Sequence, residues 1–247
     1  MINKLIVLAV FIAASFAFTT YEPTINPTVE TPVEVSVIET TEPTAEEKIN
    51  LLYEEFASVN ADMPSQISFT YALTGYKKLK GENKIENELL TIVDFSLPST
   101  EKRMWILNME NNTILYHTYV SHGQNTGGNM ATEFSNTPNS LQSSLGFYVT
   151  AETYYGRNGL SLFIDGQEKE FNSKARERYV VIHGADYAKE ESIKRLGRLG
   201  RSYGCPAVPS EVAIDLINTI KGKSALFIYH TNSEYIAKSS YLNNPAV

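Results

Sequence analysis

The apolar positions from residue 45 onward fall first into a helical period and then into short strand-like runs. Thr44 and Glu47 have capping-box spacing, and Ile49, Leu52, Tyr53 and Phe56 follow on one face. A second helix is expected from about Ser65 to Lys80, with Phe69, Leu73, Tyr76 and Lys80 in step. The middle of the chain then turns to β-type runs. Leu89–Phe95, Arg103–Met109 and Thr113–Val120 read as strands, with Glu110-Asn111-Asn112 as the turn between the last two. Gly146–Thr150, Leu160–Ile164, Tyr179–His183 and Ala225–Tyr229 read as four more. One further helix fits Ser210–Lys221, with Ser210 as N-cap, Leu216, Ile217 and Ile220 inward and Gly222 as stop. Many short strands with few helices predict a mainly β fold with helical additions, a β-sandwich or open barrel preceded by N-terminal helices.

The first 44 residues follow neither period. Residues 1–17 carry one positive charge, Lys4, then an apolar run from Leu5 to Phe16 and small residues at Ser15 and Ala17. That is the pattern of a secretory signal peptide, and the run is shorter than the roughly 20 residues a bilayer span needs. Export across the inner membrane to the periplasm or cell envelope is therefore expected, with no membrane span left after cleavage. Residues 18–44 repeat Pro, Thr, Val and Glu without Lys or Arg, the composition of a disordered, self-repelling tether. The expected organisation is signal 1–17, tether 18–44, helical segment 45–88, catalytic domain 89–231 and C-terminal tail 232–247.

The net charge of −7 changes this picture little. The signal contributes +1 and the tether −5 (Glu22, Glu30, Glu34, Glu39, Glu42), which leaves −3 for the folded part. Such mild acidity argues against a nucleic-acid partner, which needs a basic patch. Four histidines and one cysteine show no metal-ligand spacing.

The candidate chemistry lies near the C-terminal end. His183 closes the apolar run Tyr179–Ile182, and Gly184 is expected to let the chain turn away. Twenty-two positions later the only cysteine, Cys205, sits in the turn Ser202-Tyr203-Gly204-Cys205-Pro206. One thiol and one imidazole are the minimum set for acyl transfer through a thioester. A protonated His183 would lower the Cys205 pKa, and the amides of Gly204 and Cys205 could face an oxyanion. The competing reading of the thiol alone is a buried structural cysteine.

The paired His183-Gly184 and Ser202-Tyr203-Gly204-Cys205 motif resembles that of L,D-transpeptidases. Closest is the murein L,D-transpeptidase catalytic-domain branch. The stretches Asp94–Thr100, Ser121-His122-Gly123, Phe134–Pro138, Ser144–Thr150 and His183–Tyr187 look like that branch too, so the likeness runs from about Leu89 to Tyr229. It implies packed β-sheets with Cys205 and His183 in a cleft, and neither a metal nor an organic cofactor. It also implies that Cys205 attacks the L,D-peptide carbonyl of a peptidoglycan tetrapeptide stem and that an acceptor amine resolves the thioester.

Ser202 and Gly204 join Cys205 and His183 as expected catalytic residues. Arg201, His122, Tyr203 and Gly184 are expected at the substrate, and Arg195 and Arg198 crowd the same loop. The sequence departs from the wider superfamily at Tyr203, often His, and at Ala207, often Arg or Asn. Asp186 and a backbone carbonyl compete to orient the imidazole. Tyr148, Tyr154 and Tyr155 are expected to pack in the sheet, and Asn125–Asn129 lacks the context of a phosphate loop. The expected partner is the peptidoglycan stem peptide, met by a monomer. The alternatives are an L,D-carboxypeptidase using water as acceptor, a non-catalytic cell-wall binding protein and, more weakly, a cysteine protease.

Overall fold

A computed structural model describes residues 42–243. The expected signal and most of the tether lie outside the described residues. The chain opens with helix α1 (Ala45–Val59), whose N-cap Thr44 exchanges both capping-box hydrogen bonds with Glu47. Helix α2 (Gln66–Gly81) begins at the N-cap Ser65. Phe56 of α1 and Phe69 of α2 meet edge to face in the core, 5.6 Å between centroids. Both expected helices are present, but Lys80 does not join the apolar face. It is exposed and pairs with Glu88.

Strands β1 (Leu89–Asp94), β2 (Met104–Asn108) and β3 (Thr113–Thr118) form an antiparallel meander. Asn112 takes the left-handed conformation (φ 57°) at the β2–β3 turn, which Asn tolerates. Strand β4 (Gly146–Gly156) turns tightly into β5 (Gly159–Gly166), and β6 (Val181–Ala185) follows. After helix α3 (Glu190–Leu196) come β7 (Ala207–Pro209), helix α4 (Ser210–Ile220), β8 (Ala225–Tyr229) and helix α5 (Ser233–Lys238).

The eight strands make one sheet in the order β3-β2-β1-β8-β4-β5-β6-β7. The sequence pattern left open two packed sheets or an open barrel, and the chain takes the second route. Beyond β3, Ser121 bridges Ala207 of β7 (Ser121 N–H to Ala207 O, 2.8 Å), so the two edges of the sheet meet and the barrel is nearly closed. The central strands β1 and β8 run parallel and are buried along almost their whole length, which explains their continuous apolar runs. Helix α2 packs on β1 and β8, and α4 packs on β5, β6 and β7.

Several elements depart from the sequence expectation for physical reasons. β6 starts two residues later than Tyr179 because Tyr179 is left-handed (φ 52°) and cannot continue a strand. His183 is thus in mid-strand, and Gly184 lies inside β6 rather than at a turn. A Cβ on Gly184 would sit 2.8 Å from the Ala213 Cβ of α4, so glycine lets helix and strand approach closely. α4 is capped at Pro209, not Ser210, whose hydroxyl donates to Asp186 instead. The segment after residue 231 contains α5. Its Tyr235 is buried and donates to Glu168, a buried carboxylate that also accepts from Phe147 N–H (2.8 Å) and Ser239.

Candidate functional site

The site is built on the β6–β7 edge. The two strands pair in parallel with His183 opposite Ala207. Residues two apart on a strand share a face, so Val181, His183 and Ala207 lie on one face of the sheet. Cys205 sits in the bend just ahead of β7, where the Val181 N–H donates to its Sγ (3.5 Å) and the thiol donates to the Tyr179 carbonyl (3.4 Å).

The cysteine turn is held by its own serine and by the chain after β3. Ser202 Oγ accepts the Gly204 N–H (3.1 Å) and donates to the Cys205 carbonyl (2.6 Å). Ser202 N–H donates to the His122 carbonyl (3.0 Å), and Gln124 N–H to the Ser202 carbonyl (2.8 Å). Gly204 has φ 124°, and a Cβ there would lie 2.8 Å from the Gln142 carbonyl. Gly123 is equally confined, its Cβ position 2.5 Å from the Leu141 carbonyl and 3.0 Å from Gly204 Cα. The two glycines bring two backbones together, and Ser143 ties both, accepting Gly123 N–H and donating to Gly204 O.

His183 is buried, and its Nδ1 lies 2.9 Å from the Gly184 carbonyl. A carbonyl only accepts, so Nδ1 carries the proton and Nε2 presents a lone pair. The orienting group is thus a backbone carbonyl. Asp186 is exposed and turned to Lys189 and Ser210. Burial lowers the His183 pKa, with the Gly184 bond opposing it. Burial raises the Cys205 pKa, while the Val181 amide and the Arg178 guanidinium pull it down. At neutral pH the pair therefore rests as neutral thiol and neutral imidazole, not as the thiolate and imidazolium expected from residue types. Sγ makes no hydrogen bond to the ring in this state.

The other expected site residues divide. Tyr203 is 74 % exposed beside the thiol. Arg201 Nη1 donates to the carbonyls of Gly127 (2.7 Å) and Gln124 (3.3 Å), so part of its fork holds a loop. The His122 ring does not line a cleft. It is buried, accepts from Arg103 Nη2 at 2.8 Å, and has its pKa lowered to about 4 by burial and by Arg103. Its carbonyl, not its ring, serves the cysteine turn. The Gly204 amide expected to face an oxyanion is already given to Ser202. Gly184 contributes its carbonyl to His183 and its bare α-carbon to α4. An open cleft of about 530 Å³ runs past Gly184, Ala185, Tyr187 and Arg195 at the end of β6. No group of three or more potential metal ligands occurs among the described residues. No helix among them is long and apolar enough to cross a membrane.

Two residues next to the thiol escaped the sequence reading. Arg178 lies half-buried, its Nη2 3.4 Å from the Cβ position of Gly204. Tyr187 is close enough for a Cys205 anion to raise its pKa, although burial dominates that shift. Tyr187 stands in the His183–Tyr187 stretch, whereas nothing local marks Arg178 out from its neighbour Arg176.

A buried imidazole in β6 and a lone thiol in the bend ahead of its partner strand β7 are the groups that acyl transfer through a thioester requires. The chain belongs to the L,D-transpeptidase catalytic domain family, whose model matches residues 60–229 and so contains every residue just described. That family is an enzyme class. No curated protein matches the sequence. Among solved structures, an L,D-transpeptidase from Mycobacterium smegmatis is similar at 10% identity and TM-score 0.37, over 58% of this chain and 59% of that one. One from Mycobacterium tuberculosis H37Rv is similar at 12% and 0.35, over 58% of each chain. One from Enterococcus faecium is similar at 16% and 0.34, over 59% and 50%. The chain thus spans under two thirds of these proteins, and the family assignment rests on the catalytic-domain match alone.

Proposed function

We propose that the chain is a cysteine-dependent peptidoglycan L,D-transpeptidase, with Cys205 as nucleophile and His183 as base. The observation that carries this reading is the only thiol in the bend that leads into β7, held to the Val181 N–H of β6, the strand that carries a buried imidazole with a free Nε2 lone pair. The neutral resting pair fits general-base catalysis. In this reading the thiol leaves the Tyr179 carbonyl, and Nε2 takes its proton as sulfur attacks the donor carbonyl. The new C–S bond replaces the C–N bond to the terminal D-residue, and that amine leaves with the proton from the imidazolium. The acceptor amine then attacks the thioester, its proton passes to His183, and the thiol is restored with the proton on sulfur. Tyr203 is proposed to contact the stem beside the thiol, and Arg201 its carboxylates. Ser202 and Gly204 hold the turn. The Pro/Thr/Glu stretch and the apolar run ahead of it support action outside the inner membrane.

The test is product analysis of purified protein with a disaccharide-tetrapeptide. Dimer plus released D-amino acid is expected, both lost in His183→Gln. Tripeptide without dimer would make water the acceptor and the enzyme a carboxypeptidase. No product from folded protein would leave a binding role.

A further inference from the structure

Arg178 is half-buried near the only thiol, and none of its hydrogen-bond partners is a carboxylate. Arg178 Nη1 donates to the Ser135 carbonyl (2.7 Å) and Ser144 Oγ (2.5 Å). Nη2 donates to the Gln142 carbonyl (2.6 Å) and Ser140 Oγ (3.2 Å). All four are neutral acceptors. Its neighbour Arg176 shows the ordinary alternative, an exposed guanidinium paired with both Glu152 and Asp165.

An arginine buried without a counterion keeps its charge and puts a field into its surroundings. Four of its five N–H groups are used by the 135–144 loop. The fork is therefore closed to a bidentate substrate carboxylate, and what remains for the site is fixed positive charge. The same loop supplies the Gln142 carbonyl that confines Gly204, so the arginine also clamps the wall of the cysteine turn.

We propose that Arg178 is a positioning residue for the nucleophile: its uncompensated guanidinium favours negative charge on Cys205 while clamping the 135–144 loop against Gly204. This rests on the reading of Cys205 as nucleophile. The charge acts when it is needed, because sulfur is neutral at rest and becomes anionic as His183 takes its proton. Among the described residues the charged and titratable groups that act on the thiol are Arg178 and Tyr187, His183 stands on the neighbouring β6, and Tyr148 also faces the guanidinium. Tyr148 is buried and its pKa raised, so it adds no charge at neutral pH.

Iodoacetamide alkylation of Cys205 against pH separates the charge from the clamp. In Arg178→Gln the apparent pKa is expected to rise by about one unit, so that the rate at neutral pH falls roughly tenfold. Arg178→Lys keeps the charge and loses the fork. It is expected to stay within about twofold of wild type at a lower Tm. Ser144→Ala removes a clamp partner and no charge, is the safest of the three to fold, and is expected to leave the pH profile in place. An unchanged profile in Arg178→Gln, a Lys variant shifted like the Gln one, or a shifted Ser144→Ala would each overturn the proposal. Alkylation needs no stem peptide. Wild type that alkylates as described but turns over no donor would therefore sink the transpeptidase reading without touching this one.

Discussion

Protonation of His122 is predicted to weaken the fold in mild acid, and the size of the effect follows from its surroundings. The ring is buried and receives a hydrogen bond from Arg103, itself wholly buried and donating to the Leu97 and Val120 carbonyls. Burial and this cation lower the His122 pKa from 6.5 to about 4, against backbone contacts at Gly127 and Gly128 that raise it. A depressed folded-state pKa means that between those values the unfolded chain holds a proton the native chain does not. The associated stability is complete above the unfolded pKa and is lost as pH falls toward the folded one. Over the whole window the loss is about 3 kcal/mol, of which about 2 kcal/mol falls between pH 7 and pH 5. His122→Asn keeps an acceptor for Arg103 but does not titrate. Urea unfolding of both proteins at several pH values should show wild type losing about 2 kcal/mol more than the variant over that interval. Parallel curves would refute the reasoning and place the ring in contact with water or with an unrecognised acceptor.

Three further outcomes are expected, the first from the family's chemistry and the other two from the packing. A carbapenem should form one covalent adduct on intact protein, absent in Cys205→Ala. No adduct on folded wild type would count against a reactive thiol. Gly184→Ala puts a Cβ 2.8 Å from that of Ala213 and 3.3 Å from Ser210 Cα, so it should cost about 1–3 kcal/mol in chemical unfolding, largely recovered by adding Ala213→Gly. Failure of that second change to rescue would mean the close approach is not what the glycine serves. Tyr235→Phe removes one of the donors on the buried Glu168 carboxylate and should lower stability by about 1–3 kcal/mol. A Tm equal to wild type would mean that water already serves Glu168.

The chemistry was more legible in the sequence than its geometry. A single cysteine in a glycine turn and a histidine ending an apolar run are local signals, and so is the capping box at Thr44. What the pattern hid depends on distant contacts or on backbone angles. Tyr179 gives no sign of a left-handed φ, and that angle moves β6 by two residues and puts His183 in mid-strand. Helix α5 is six residues long and is fixed by Glu168, some 70 positions earlier. The outer half of β4 lacks an apolar run because it is half-exposed ribbon. Continuity of the sheet depends on β1 pairing with β8, which no local periodicity reports. His122 resembled a cleft residue because His-Gly recurs there, and only the burial of Arg103 beside it shows that the ring faces inward. Arg178 gains its meaning from the four acceptors of the 135–144 loop, which meet only in the folded chain.

The central claim is that Cys205 carries the donor stem as a thioester. Intact-protein mass spectrometry after brief mixing with a disaccharide-tetrapeptide, quenched in acid, tests it directly. The predicted result is a mass increase equal to the donor less its terminal D-residue, mapped by digestion to Cys205 and absent in Cys205→Ala. Dimer formed by wild type with no such adduct at any mixing time, or dimer formed by Cys205→Ala, would contradict it.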